Sequence, residues 1–125
     1  MERLKQRIEI AKKALTALKE ALDMEKTKIV QDATIQRFEF TMEAFWKMLK
    51  LYLKVHEGVE LASPKSVMRA ALKASILNDN ETKQALNMVD DRNLTVHTYN
   101  EKLANQIYKN IPGYYELMTN LTNKI

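Results

Sequence analysis

The chain has 125 residues, 46% of them hydrophobic, with two glycines, two prolines and no cysteine. The missing cysteine excludes disulfides, thiolate zinc sites and cysteine nucleophiles, and the scarcity of Gly and Pro disfavours strands joined by tight turns. The net charge of +4 permits an anionic partner without requiring one. Because charges are spread along the N-terminus and no stretch has the roughly 18 apolar residues of a membrane helix, we expect a cytoplasmic protein without a membrane anchor. The length predicts one helical-bundle domain over residues 1–125.

Apolar residues spaced three and four apart predict two long helices in the first half of the chain. The second begins near Val30, runs to about His56 and stops at Gly58. The apolar stripes consist of Leu4, Ile8, Ala11, Leu15, Leu18 and Leu22 in the first helix, and of Ile35, Phe38, Met42, Phe45, Leu49 and Leu53 in the second.

Capping residues predict where the next two helices begin. Ser63 followed by Pro64 is a typical helix start, and the short helix that follows should run to about Leu77. Asn78 with Glu81 three residues later has the polarity of a capping box, which predicts the start of a fourth helix.

A second capping-box pattern, Thr98 with Glu101, predicts that the fourth helix ends near Val96 and that a fifth begins at once. Pro112 and Gly113 should kink or break that fifth helix. Helices of these lengths with short connections predict an antiparallel up-and-down four-helix bundle with an additional short helix.

Polar side chains are concentrated in DDRNLTVHTYNE, residues 90–101. On a continuous helix Arg92 and His97 lie about 140° apart, whereas a helix end near Val96 lets His97 swing back toward Arg92. Arg binds phosphate through a planar fork of donors, and His acts as general acid or base near neutral pH. Together they would cleave RNA without a metal, and the hydroxyl of Tyr99 would accept a transferred group.

The same residues also have a purely structural interpretation. Arg92 can pair with an acidic residue one turn away, and His97 can cap a helix or lie satisfied in the core. Asp90 and Asp91 point about 100° apart on a helix and suit one metal poorly. We therefore expect no metal or cofactor, pairing of the aspartates with Arg92 or Lys83, and orientation of Arg92 by Asp91.

Three blocks in this order resemble the nucleotidyltransferase substrate-binding protein family. Arg92, Asn93 and His97 in addition resemble the R-x4-H signature of the HEPN superfamily, and Tyr99 two residues later resembles its HepT-like branch. The blocks are RFEFTMEAFWKMLKLYL (Arg37 to Leu53), SPKSVMRAALKASIL (Ser63 to Leu77) and DRNLTVHTYN (Asp91 to Asn100).

This resemblance implies a helical bundle, usually a homodimer, that pairs with a separately encoded minimal nucleotidyltransferase in a toxin–antitoxin-like system. It implies that Arg92 and His97 are ribonuclease residues, supported by Asn93 and Asp91, with RNA as a candidate substrate. It also implies that the partner adds AMP to Tyr99 and thereby silences the ribonuclease.

Phe38, Phe45 and Trp46 are expected in the core or at a dimer face, with a ligand groove between helices as the alternative. The sequence contains no Gly-rich phosphate loop, no G-S motif with paired carboxylates and no GxSxG, so the chain should not itself be a nucleotidyltransferase, kinase or hydrolase of those types. The favoured hypothesis is the helical partner of a minimal nucleotidyltransferase, acting as its substrate-binding subunit or as its AMPylation target. The alternatives are a metal-independent endoribonuclease and a structural bundle without chemistry.

Overall fold

The computed structural model describes residues 2–125, most of which are helical, with no strand among them. The predicted all-helical class is therefore confirmed. The elements are α1 (Glu2–Leu22), α2 (Lys28–Glu57), α3 (Pro64–Lys73), α4 (Asp79–Leu94), a 3-10 turn (Thr95–His97) and α5 (Glu101–Lys124).

Side-chain contacts between α1 and α2 show that these helices are antiparallel. The hydroxyl of Thr41 donates to the carbonyl of Ala14 over 3.1 Å. Arg37 lies one turn earlier on α2 and donates to the carbonyl of Ala17 over 2.6 Å. Ala17 lies one turn later on α1 than Ala14, so the two helices run in opposite directions. Each bond satisfies a polar group that would otherwise cost free energy on burial.

Contacts between α2 and α5 run in the opposite sense. Lys28 at the start of α2 pairs with Glu101 at the start of α5 over 3.0 Å, and further along Phe38 stacks on Tyr114. These two helices are thus parallel, as expected when α1, α2, α4 and α5 alternate in direction. The short helix α3 packs against α2 and α4 as the additional element of the bundle.

The core consists of side chains from all five helices, in the stripes that the sequence predicts. Phe38 and Phe45 are 0% and 1% exposed, so each is core within a single chain and neither contributes to a dimer face or a groove. Trp46 is only partly buried and remains a groove residue. The largest fully buried side chains are Leu18, Phe38, Met42, Phe45, Met48, Leu49, Leu53, Met68, Met88, Ile107, Ile111 and Met118.

The predicted starts of α3 and α4 are confirmed. The Ser63 hydroxyl caps α3, whose first residue is Pro64. At α4, Glu81 donates its backbone N–H to the Asn78 side chain over 2.8 Å, and the Glu81 carboxylate accepts the Asn78 backbone N–H over 2.9 Å. These reciprocal bonds satisfy donors that have no partner within the helix.

Helix α3 ends at Lys73, four residues earlier than predicted. Ser75 takes the left-handed conformation with φ 62°, and the backbone N–H groups of Ile76 and Leu77 both turn back to the carbonyl of Ala71. The chain therefore reverses within a few residues and leads directly into the cap of α4.

Helix α5 is continuous through Pro112, so the predicted break is wrong. Proline removes one backbone donor and crowds the carbonyl four residues earlier. Ile111 and Tyr114 on either side are buried in the core, whereas Pro112 and Gly113 are exposed. The buried side chains of Ile111 and Tyr114 therefore hold the helix against the core, while Pro112 lies on its solvent-exposed side.

Candidate functional site

The polar segment, residues 90–101, begins in the last turns of α4 and is folded by side chains that bond to its own backbone. The Thr95 hydroxyl donates to the Arg92 carbonyl over 2.7 Å, and the Thr98 hydroxyl donates to the Thr95 carbonyl over 2.9 Å. The backbone N–H of Asn100 then donates to the His97 carbonyl over 3.1 Å. These bonds form the tight 3-10 turn that separates His97 from α4, as the predicted helix end required.

The predicted Thr98–Glu101 capping box is wrong, because Asn100 caps α5 instead. The Asn100 side chain accepts the backbone N–H of Leu103 over 3.1 Å, while the Thr98 hydroxyl is already bonded to the preceding turn. Asn is among the most favourable N-cap residues. Glu101 becomes the first residue of α5 and pairs with Lys28 over 3.0 Å.

His97 and Tyr99 are in direct contact at the surface. His97 Nδ1 lies 3.2 Å from the Tyr99 hydroxyl, and the two rings meet edge to face with centroids 5.8 Å apart. Tyr99 is 83% exposed, so its hydroxyl is open to a reactant from solvent. The contact occupies only one of the two ring nitrogens of His97.

Arg92 is anchored by contacts on the bundle. Its Nη1 lies 3.7 Å from Glu39 Oε2 on α2 and donates to the Thr95 hydroxyl over 3.3 Å. Its Nε is buried and has no hydrogen-bond partner among residues 2–125. No hydrogen bond or ion pair in this range joins Arg92 to His97, although the two lie on consecutive turns of the chain.

Asp91 does not orient Arg92, and that expectation is wrong. Its Oδ2 accepts hydrogen bonds from the Tyr114 hydroxyl over 2.6 Å and from Asn110 Nδ2 over 3.0 Å. Both donors lie on α5. The carboxylate therefore fixes the end of α4 to α5 and acts on Arg92 only through the position of the backbone.

Asp90 pairs with Lys65 of α3 over 2.7 Å, and not with the predicted Arg92 or Lys83. The two adjacent aspartates thus bond to two different helices, as their angular separation predicts. Asn93 lies exposed on the last turn of α4. Within residues 2–125 no group of three or more potential metal-ligating side chains occurs.

Burial, followed by the hydrogen bond to the Asp91 carboxylate, raises the pKa of Tyr114 well above its ordinary value. The folded protein therefore keeps this proton at a pH where the unfolded chain loses it, so the stabilising contribution is complete below about pH 10 and declines above it. Between about pH 9 and about pH 11 the wild-type protein should lose about 1 kcal/mol of unfolding free energy from this group.

Urea unfolding at several pH values checks this expectation. The Tyr114→Phe protein should lack this part of the pH dependence, and should also be less stable near neutral pH by about 1–3 kcal/mol because Asp91 loses a charge-assisted donor. Tyr115→Phe, at the neighbouring and partly buried position, serves as the control and should retain the wild-type pH dependence. Identical pH profiles for all three proteins would contradict the prediction.

Two residues of this site, Glu39 and Tyr114, were not predicted from the sequence. Each is more than twenty residues from the side chain that it contacts. Glu39 lies inside the first of the three resembling blocks, which is the one signal in the sequence that could have drawn attention to it. Tyr114 lies in an ordinary apolar stripe and carries no such signal.

Residues 6–125 match the family model described as nucleotidyltransferase substrate binding protein like. The chain belongs to the nucleotidyltransferase substrate-binding protein family. This confirms the family that the three sequence blocks predict, and the match covers the capping residues, the 3-10 turn and the whole polar segment. No helix within residues 2–125 of this family member has the length and apolar character needed to cross a membrane.

Two further comparisons place this family member among known proteins. The crystal structure of a protein from Thermus thermophilus is similar with a TM-score of 0.88 and 51% sequence identity, over 91% of this chain and 97% of that one. A Haemophilus influenzae protein named probable ribonuclease HepT is 32% identical over an alignment of 94 residues, which covers 69% of this chain. The chain covers 63% of the length of that relative, whose name supports the predicted HepT-like branch.

Proposed function

We propose that this protein is the helical partner of a separately encoded minimal nucleotidyltransferase, and that Tyr99 accepts AMP from that enzyme. The observation that carries the proposal is the Tyr99 hydroxyl, which belongs to a residue that is 83% exposed and lies 3.2 Å from His97 Nδ1. Membership of the family supports a nucleotidyltransferase as the partner. In the other form of this partnership, the protein is a substrate-binding subunit that presents another molecule to the nucleotidyltransferase.

The contact between His97 and Tyr99 suits nucleotidyl transfer. The phenolic oxygen attacks the α-phosphorus of ATP, and the bond from that phosphorus to the oxygen bridging to the β-phosphate breaks. Pyrophosphate leaves, AMP remains on Tyr99, and the phenolic proton passes to His97 Nδ1. A histidine within hydrogen-bond distance of the hydroxyl is a general base in the right place for this step.

The surface around the tyrosine suits a protein partner. Leu94 and Val96, on the same short segment, are 39% and 67% exposed. Exposed apolar side chains so close in sequence to Tyr99 give a partner apolar surface to bury. A nucleotidyltransferase that covers Leu94 and Val96 would reach Tyr99 directly, and such a pair would act together as a cytoplasmic toxin–antitoxin-like system.

Nucleotidylation by the partner tests this proposal. The proposed minimal nucleotidyltransferase, sought in the neighbouring reading frame, is incubated with ATP and the purified protein, and intact-mass and peptide spectra are recorded. Wild-type protein should gain one adenylyl group on the peptide that contains Tyr99, whereas Tyr99→Phe should gain none. Tyr115→Phe removes a phenolic hydroxyl elsewhere and should be modified like the wild type; modification of Tyr99→Phe would refute the assignment.

A metal-independent endoribonuclease is the second candidate function. The buried Arg92 Nε without a partner favours it, as does the exposed His97 five residues later in the chain, and the name of the Haemophilus influenzae relative supports it. His97 would take the proton of a ribose 2′-hydroxyl, whose oxygen attacks the adjacent phosphorus while the bond to the 5′-oxygen breaks. The products are a 2′,3′-cyclic phosphate and a 5′-hydroxyl, whose proton comes from solvent. Arg92 would stabilise the charge that develops on the phosphate.

The two functions are compatible if AMP on Tyr99 acts as an off switch. The modification adds bulk and negative charge beside His97, where it repels an RNA phosphate and offers Arg92 a competing anion. Arg92 and His97 of one chain share no direct bond. A homodimer would bring the polar segments of two chains together, so that Arg92 of one chain could act with His97 of the other.

A further inference from the structure

A groove of about 340 Å³ lies away from the polar segment, between the first turns of α1, the second half of α2 and the residues that follow Gly58. Glu39, the α2 residue that contacts Arg92, lies eleven positions before Lys50 of this groove. Eleven residues span about 16 Å along a helix, so the groove is separate from the polar segment. The side chains that give the groove its character are Trp46 and five cations: Arg3, Arg7, Lys47, Lys50 and Lys54.

The five cations line the groove because of their spacing on two helices. Arg3 and Arg7 are four residues apart, so they lie on one face of α1. Lys47, Lys50 and Lys54 are three and four residues apart and share one face of α2. Like charges at these spacings destabilise a helix, and Arg3 also lies near the positive end of the α1 dipole. A bound anion would relieve both costs.

Acidic side chains neutralise only part of this charge. Lys54 pairs with Glu60 over 3.0 Å, and the contact lowers the pKa of Glu60. Lys47 lies 3.5 Å from Glu43. The groove therefore keeps an excess of positive charge, from three cations without an ion-pair partner among residues 2–125: Arg3, Arg7 and Lys50.

Trp46 adds an aromatic wall and an unused donor. Its Nε1 is buried and has no hydrogen-bond partner among residues 2–125, although buried polar groups nearly always have one. The ammonium of Lys50 lies 5.8 Å from the centre of the indole ring. An aromatic face beside a row of cations is the combination that binds unpaired bases together with their phosphates.

We propose that this groove binds one nucleotide unit, with its phosphates on the arginine and lysine side chains and its base against Trp46. The volume falls within the range of about 300–1,000 Å³ that is usual for small-ligand sites. A free nucleoside triphosphate and a single-stranded RNA both offer this chemistry. Binding in the groove is independent of whether Tyr99 accepts AMP, since the two sites share no residue.

Trp46 is the only tryptophan of the chain, so its fluorescence reports on this groove alone. The purified full-length protein is titrated with ATP, with a short oligoribonucleotide and with inorganic triphosphate, and calorimetry provides a second readout. ATP or the oligoribonucleotide should give a saturable change in Trp46 fluorescence, and added salt should lower the affinity. Whichever of the two binds more tightly identifies the source of the nucleotide.

Charge variants decide whether the groove is the site. The pair Arg7→Gln and Lys50→Gln should weaken binding by about tenfold or more, since two charge-assisted contacts are lost. The control pair Lys12→Gln and Lys13→Gln removes the same charge from exposed positions outside the groove and should bind as the wild type does. Equal weakening by both pairs, or no saturable binding of ATP and RNA, would overturn the proposal.

Inorganic triphosphate tests the role of the base. It should bind more weakly than ATP, because it cannot stack on the indole of Trp46. Equal affinities would overturn the assignment of a nucleotide and leave a plain anion site.

Discussion

Replacing His97 with alanine is expected to lower RNA cleavage by the purified, unmodified protein by a factor of about 100 to 10,000, the range for loss of a general acid or base. The reason is chemical, because His97 is the proposed general base and is exposed at the end of the 3-10 turn, where an RNA can reach it. Cleavage of a defined oligoribonucleotide in the presence of a metal chelator measures the effect.

His56→Ala is the matched control, because His56 is the other of two histidines and is also exposed. Its ring packs against Tyr52 with centroids 4.4 Å apart, at the far end of α2 from the motif. Cleavage by this variant should equal that of the wild type. Undiminished cleavage by His97→Ala would indicate a contaminating nuclease. No cleavage by the unmodified wild type would contradict the ribonuclease function and leave the nucleotidyltransferase partnership.

Replacing Phe38 with alanine is expected to lower the unfolding free energy by about 3–5 kcal/mol, which is the usual cost of truncating a buried aromatic side chain. Phe38 is fully buried on α2 and stacks on Tyr114 with ring centroids 5.6 Å apart. The cavity would also loosen Tyr114, which donates to Asp91 at the end of α4. Urea unfolding measures the loss of stability.

Phe40→Ala provides the control two residues further along α2, where the side chain is 47% exposed. It should cost no more than about 1 kcal/mol, as surface substitutions usually do. A similar loss for both variants would contradict the assignment of Phe38 to the core. A loss at Phe38 that grows smaller with protein concentration would assign it to a dimer face.

Local rules of the sequence were sufficient wherever one short segment decides its own structure. The stripes of α1 and α2 and the Ser63 and Asn78 caps depend on residues a few positions apart, and they are as predicted. Helix α4 ends at Leu94, two residues before the predicted end near Val96. Asn100 shows the limit of such rules, because the capping-box pattern predicts Thr98 as the cap of α5 and the observed cap lies two residues later. The hydroxyl of Thr98 was taken by the 3-10 turn, a choice that the local pattern alone did not reveal.

By itself, then, the sequence determined the all-helical bundle, the family, and the place of Arg92 near the end of α4 with His97 and Tyr99 beyond it. Only the tertiary structure decided that Asp91 bonds to α5, that Glu39 holds Arg92, that α5 continues through Pro112 and that the groove beside Trp46 is basic. The physical reason is distance along the chain. Helix periodicity and capping act over three or four residues, whereas these contacts join side chains from separate helices, and their partners are set by the packing of the bundle.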